Sequence, residues 1–181
     1  KINKNDIDEI IIGKVLTAGL GQKPARQAAM KAGLPKEIPA HIVNQVCGSG
    51  IRSIASAYQS LKSNDSKVII AGGQENMSLA PHAIHLRDGK KLGDAELLDT
   101  MIKDGLWDAF HGYHMGVTAE NVAEKFQITR NEQDKFALKS QENALEAQKL
   151  NKFAEEIINL NIKSKKAEIN FNKDEHPREG I

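Results

Sequence analysis

The sequence predicts a layered α/β fold, and three observations predict it. Short apolar runs at residues 10–16, 39–46 and 68–73 alternate with segments of helical periodicity. Glycines and prolines punctuate the joints between them. The last run, Val68-Ile69-Ile70-Ala71-Gly72-Gly73, is rich enough in β-branched residues to be buried on both faces, as parallel strands are. Strand–helix–strand–helix–strand implies a sheet with right-handed crossovers.

Each element has its own justification. Residues 10–16 read as a buried strand, being short and apolar. Residues 19–22 are a glycine-rich turn. Residues 24–31 read as a helix, with Pro24 in the first turn and Gly33 just past the end. Residues 39–46 form the second strand. Residues 48–62 form a helix with Ile51, Ile54, Ala55, Tyr58 and Leu61 at helical spacing, expected to lie buried against the sheet. Residues 68–73 complete the sheet. After Gly73 the character changes. Residues 78–113 lack clean periodicity and carry a basic cluster of His85, Arg87, Lys90 and Lys91. A helix follows from about Thr118, with Ala119, Val122, Ala123 and Phe126 on one face. Thr129-Arg130-Asn131-Glu132 is a capping-box signature opening a long helix to about Leu150. Residues 153–162 read as short and strand-like or irregular, and residues 163–179 as charged and exposed.

Bulk properties exclude several classes. A hydrophobic fraction of 40% and a charged fraction of 27% are ordinary for a globular protein. Aromatics make up 4%, too few for a base-stacking nucleic-acid surface. No apolar run approaches the roughly 20 residues that span a bilayer, and residues 1–6 hold no signal-peptide core. One cysteine in 181 residues permits no internal disulfide and fits a reducing, cytoplasmic compartment.

That cysteine carries the chemistry. Cys47 sits in Asn44-Gln45-Val46-Cys47-Gly48-Ser49-Gly50, where the second strand turns into a helix. A helix N-terminus offers partial positive charge and unpaired N–H groups, which favour the nucleophilic thiolate. The bland alternative is a small buried hydrophobe. The strand–Cys–Gly–x–Gly–helix setting instead resembles a nucleophile elbow with sulfur in place of oxygen. In open α/β sheets ligands gather at the carboxyl ends of strands, and Cys47 stands at one.

Further motifs accumulate in order. They are Gly19-Leu20-Gly21-Gln22 with Pro24-Ala25-Arg26, the cysteine motif, and Ala71-Gly72-Gly73-Gln74-Glu75-Asn76-Met77-Ser78. Asp104-Gly105-Leu106-Trp107-Asp108, His114-Met115-Gly116-Val117-Thr118-Ala119-Glu120-Asn121-Val122-Ala123, Arg130 with Gln133-Asp134, and Asp174-Glu175-His176-Pro177-Arg178 follow. Together they resemble the thiolases of the short-chain, acetyl-CoA-joining type. The resemblance implies a thiolase-like layered fold, divided here into a partial N-terminal α/β domain (1–77) and a loop domain over coenzyme A (78–181). It implies acyl transfer through a thioester on Cys47. It implies coenzyme A thioesters as substrates, no covalently bound cofactor and no metal. His114 and Met115 would line the acyl pocket, and Leu106 and Arg178 would contact coenzyme A. The partners implied are an acyl-CoA and further copies of the chain, as a dimer or a tetramer, with neither nucleic acid nor membrane. The basic cluster would border the coenzyme A entrance, and Gln22, Glu75 and Asn76 would be buried polar supports near the cysteine. A whole thiolase is about twice this long. Its remaining half would supply Asn-Glu-Ala-Phe, Gly-His-Pro and Cys-x-Gly motifs, so the chain alone is expected to be inactive and to expose apolar faces.

Other readings compete. The β-ketoacyl synthases share the architecture and a cysteine at a helix start, but the His114-Met115-Gly116 and 71–78 motifs favour a thiolase. His82 with His85, and His111 with His114, have spacings that suit a metal. A papain-like thiol hydrolase needs a partnered histidine base that none of the histidines offers. A non-catalytic interaction module is the last alternative.

Overall fold

The structure, a computed structural model, describes residues 2–163 and 168–180. It divides into two compact units, Lys1–Met115 and Gly116–Ile181, so residues 78–115 pack with the first unit.

In the first unit a short 3-10 turn at Lys4–Asp6 leads into β1 (Glu9–Gly13), α1 (Pro24–Lys31), β2 (Ala40–Val43), α2 (Ser49–Lys62) and β3 (Ile69–Gly73). The three strands are parallel in the order β2-β1-β3, with Ile10 opposite Ala40 on one side and Ile70 on the other. β1 is therefore central. Ile10 and Ile11 point to opposite faces, and both are buried. Ile10 joins Ile7, Ala29 and Ile38 in a core on the α1 side, with Ile12, Leu34, Ala40 and Val68 packed around it. Full burial of a side chain such as Ile11 contributes about 1.5–3 kcal/mol.

α2 covers the other face of β1 and β3, and it does so with an unexpected side. Its buried residues are Ser49, Ser53 and Ala57. The apolar stripe expected to face the sheet points outward instead: Ile51 is 78% exposed, Ile54 57% and Tyr58 60%. The reason is distance. A Cβ on Gly13 would stand 2.5 Å from the Ser49 carbonyl oxygen and 2.6 Å from the Gly50 nitrogen. The helix touches the strand backbone to backbone, leaving room only for small side chains beneath it. The Ser53 hydroxyl, fully buried, shares its single proton between the Gly50 carbonyl at 2.7 Å and the Gly72 carbonyl at 2.8 Å.

Two strands end earlier than their apolar runs. β1 was expected to reach residue 16, but the Glu75 carboxylate takes the Val15 and Leu16 N–H groups at 2.8 and 3.3 Å. β2 stops at Val43 because the side chains of Asn44 and Ser49 accept from Val46 N and Gln45 N, both at 2.9 Å. Such local bonds compete with a sheet ladder.

The first unit is completed by an antiparallel pair, β4 (His82–Ala83) with β5 (Leu98–Asp99), and a π-helical turn at Ile102–Leu106. α3 (Met115–Phe126) begins at its edge, three residues before the expected start. In the second unit α4 (Arg130–Lys149) opens on the expected capping box. The Thr129 hydroxyl accepts from Glu132 N at 3.3 Å, and Glu132 Oε2 accepts from Thr129 N at 2.8 Å. β6 (Leu160–Lys163) and β7 (Glu168–Phe171) then pair antiparallel. β7 corrects the reading of residues 163–179 as merely charged. Ile169 and Phe171 alternate with polar neighbours and pair with Ile162 and Leu160, a period-2 signal that the surrounding charges mask.

A Gly13→Ala chain is expected to lose about 1–3 kcal/mol of stability, the usual cost of overpacking. Urea titration checks this, and a loss below 0.5 kcal/mol would mean that the helix can stand off from the strand.

Candidate active site

β2 delivers the chain to the carboxyl edge of the sheet, and five residues, Asn44 to Gly48, carry it into α2. Cys47 lies in this connection and is exposed. It faces a cleft of about 310 Å³ whose lining includes Gly13, Lys14, Val46, Ser49, Gly73 and Glu75. Gly48, the N-cap of α2, provides no side-chain cap. The positive end of the helix is thus left beside the thiol.

The connection is tightly tied. Val46 has φ 48°, a left-handed conformation that a β-branched residue adopts only under constraint. Its carbonyl accepts from the Ser49 hydroxyl at 2.6 Å and from Ser49 N at 3.0 Å. Gly48 N donates to the Gln45 carbonyl at 3.0 Å. Beneath it, Lys14 is 5% exposed and its ammonium donates to Glu75 Oε1 at 3.1 Å. Burial pushes the Glu75 carboxyl upward. The amides of Val15 and Leu16 and the Lys14 ammonium outweigh that and hold it below the usual carboxylate range. Glu75 thus satisfies the backbone amides that follow β1, but it is exposed where the resemblance implies a buried support. Asn76 acts elsewhere, accepting from Leu79 N at 3.2 Å. Gln22 is exposed, and its carbonyl accepts from the Gln27 side chain at 2.8 Å.

The remaining candidates fall in three places. Leu106 closes the π-helical turn and is half-buried. His114 is exposed and bridges through its backbone to Trp107, and Met115 is half-buried at the first position of α3. None of these three lines the cleft at Cys47. Arg178 belongs to the second unit, where its N–H donates to Gln141 Oε1 at 3.2 Å.

Asp108 has a role that sequence reasoning missed. Its Oδ1 accepts from Phe110 N and His111 N, both at 2.8 Å, and its own N–H donates to the Tyr113 carbonyl at 2.8 Å. The two amides, with His111 beside them, hold its carboxyl below the usual range. Asp108 therefore folds the loop that presents His114 and Met115. An aspartate a few residues ahead of Gly112 was the available signal, since such residues cap their own turns. His111 Nδ1 lies 3.3 Å from Asp108 Oδ1. Among the described residues no group of three His, Cys, Asp or Glu side chains gathers to hold a metal.

Comparison with known proteins supplies an independent line. The family model for the thiolase N-terminal domain matches residues 1–181. An acetyl-CoA acetyltransferase of Rhizobium meliloti is 57% identical over 179 residues, which cover 99% of this chain and 46% of that protein. A cytosolic acetyl-CoA acetyltransferase of Rattus norvegicus is 48% identical over 180 residues, 45% of its length. The crystal structure of the Bacillus anthracis acetyl-CoA acetyltransferase superposes with a TM-score of 0.94 at 38% identity, covering 99% of this chain and 46% of that one. The chain spans about half the length of the curated relatives it matches.

The depressed Glu75 carboxyl has a pH signature. Its folded pKa lies below its unfolded one, so its stabilisation is present above the unfolded value, about 4.3, and is lost as pH falls through the folded value. Glu75→Gln should therefore be less stable than the parent at pH 7, with the gap closing below pH ~4. Equal stabilities at pH 7 in urea melts would refute this support.

Proposed function

The chain belongs to the thiolase family, and from that premise we propose that it is the nucleophile-bearing portion of an acetyl-CoA C-acetyltransferase. The observation that carries the reading is the exposed Cys47 thiol, held between a strand end and a helix start over a cleft.

The chemistry follows from that placement. The Cys47 thiolate attacks the carbonyl carbon of acetyl-CoA. A C–S bond forms to Cys47, the bond to the coenzyme A sulfur breaks, and coenzyme A leaves as its thiol after taking a proton. Exchange of one thioester for another is nearly neutral in energy, so covalent catalysis divides the reaction into two accessible steps. The Cys47 N–H, at the helix start, donates to the oxygen as it gains charge. A second acetyl-CoA, deprotonated next to its carbonyl, then attacks the acetyl group. Acetoacetyl-CoA forms and Cys47 is released. Run backwards, the same steps are thiolysis. The base for the carbon acid comes from outside these 181 residues, so the chain alone carries the acyl group without turning over.

Substrate contacts come from the other motif residues. His114 and Met115, which do not line the cleft at Cys47, are assigned to the acyl end by their motif alone. Leu106 packs against the pantetheine arm. Arg178 presents a planar guanidinium to phosphate or adenine. Among the described residues no helix is long and apolar enough to cross a membrane. A lone exposed thiol suits the reducing cytoplasm. The outward Ile51, Ile54 and Tyr58 support assembly into dimers or tetramers, since large contiguous apolar patches mark interaction surfaces.

Three outcomes test this. Incubated with acetyl-CoA, the chain should gain one acetyl group on Cys47 by mass spectrometry, and a thiol that stays unmodified would refute the acyl-carrier role. In the protein extended to the length of its relatives, Cys47→Ala should lower acetoacetyl-CoA thiolysis by about 10⁴- to 10⁶-fold, as removal of a nucleophile does. The 181-residue chain should sediment as oligomers, and a monomer at every concentration would remove the assembly reading.

A further inference from the structure

We propose that Ser49 is a positioning residue for Cys47, acting through the strained peptide that joins Val46 to it. The proposal rests on Cys47 being the acyl carrier.

Ser49 is 4% exposed, one of the few buried polar residues in the first unit. Its hydroxyl is committed in both senses. It accepts from Gln45 N at 2.9 Å and donates to the Val46 carbonyl at 2.6 Å. It therefore grips the chain on both sides of Val46, the residue at φ 48°. Left alone, a β-branched residue leaves this conformation, so something must hold it there. Asn44 contributes from one side through its bond to Val46 N at 2.9 Å. Ser49 is the only side chain bonded to the Val46 carbonyl among the described residues.

The consequence for Cys47 follows from peptide geometry. The Val46 carbonyl and the Cys47 N–H belong to one planar, trans peptide, so they point in opposite directions. The carbonyl is turned in toward Ser49. The Cys47 N–H is therefore turned away from the helix, where it can meet an oxygen bound at the thiol. Ser49 cannot drift, because Gly13 presses against its backbone. The hydroxyl thus sets the aim of the amide that stabilises the oxyanion, and touches neither the substrate nor the sulfur's own chemistry.

Two reagents separate these effects. p-Nitrophenyl acetate acylates a thiolate through an oxyanion: the sulfur–carbon bond forms, the ester carbon–oxygen bond breaks, and p-nitrophenolate leaves. Iodoacetamide alkylates the same thiolate by direct displacement of iodide, with no oxyanion. Cys47 is the sole cysteine, so the rate in excess of that of a Cys47→Ala chain, whose histidines and amines still react, reports on the thiol. Ser49→Ala should slow acylation by about tenfold, below the 10²- to 10³-fold loss of a whole oxyanion donor, while alkylation stays within about twofold. Combining S49A with Val46→Gly, which accepts φ 48° without strain, should restore acylation to within about threefold of the parent. Equal acylation by parent and S49A overturns the role of Ser49. So does an equal fall in acylation and alkylation, which marks a general loss of structure. If S49A alone does not fold, a folded S49A/V46G chain that stays tenfold slow in acylation overturns it. A parent chain acylated no faster than Cys47→Ala overturns the acyl-carrier reading itself, and the Ser49 proposal with it.

Discussion

The first unit is organised by a contact between two backbones. At Gly13 the central strand carries no side chain, and the first turn of α2 lies directly on it. Almost every feature of the site follows. The helix presents Ser49, Ser53 and Ala57 to the sheet because larger groups do not fit. Its first turn is fixed at the carboxyl edge of the strands, where a nucleophile can meet a substrate. The five-residue connection from β2 must then close a short gap, and it does so by taking Val46 through a left-handed conformation.

Polar groups stabilise what this approach leaves exposed. Unpaired backbone amides beyond the strand ends would be costly to bury. Glu75, just after β3, takes two of them and the Lys14 ammonium besides. Ser53 pins the helix to the Gly72 carbonyl, and Ser49 pins the connection to the helix. In the loop ahead of α3, Asp108 does comparable work for the segment that carries His114. Reactive side chains and their scaffold are therefore separate sets: the thiol is on the surface, and the groups that aim it lie beneath.

Much of this was legible in the sequence, for reasons that also explain what was not. The strands around Ile10, Ile42 and Ile69 declare themselves because apolar continuity is a local property. The capping box at Thr129 and the Pro24 helix start are equally local, and both were placed to the residue. The inward face of α2 was misread because periodicity reports where apolar residues are, not how close two backbones come. Only knowledge that Gly13 meets Ser49 reverses the reading, and that pairing spans 36 positions of chain. The early end of β1 has the same origin, since a side chain at residue 75 decides the fate of amides at 15 and 16, whereas β2 ends on local bonds from Asn44 and Ser49. Cys47 was found because glycines and a strand–helix junction surround it. Ser49 carries no signal of its own in the sequence, because a serine in a helix's first turn is common and its two bonds exist only in three dimensions.

If the close approach at Gly13 aims the site, a methyl group placed there must misdirect the amide at Cys47. Acylation of Cys47 by p-nitrophenyl acetate is compared between the parent and Gly13→Ala, both held well below their melting temperatures so that each is folded. Acylation should be slower in the variant, with iodoacetamide alkylation little changed. Identical acylation rates in two folded chains would contradict it.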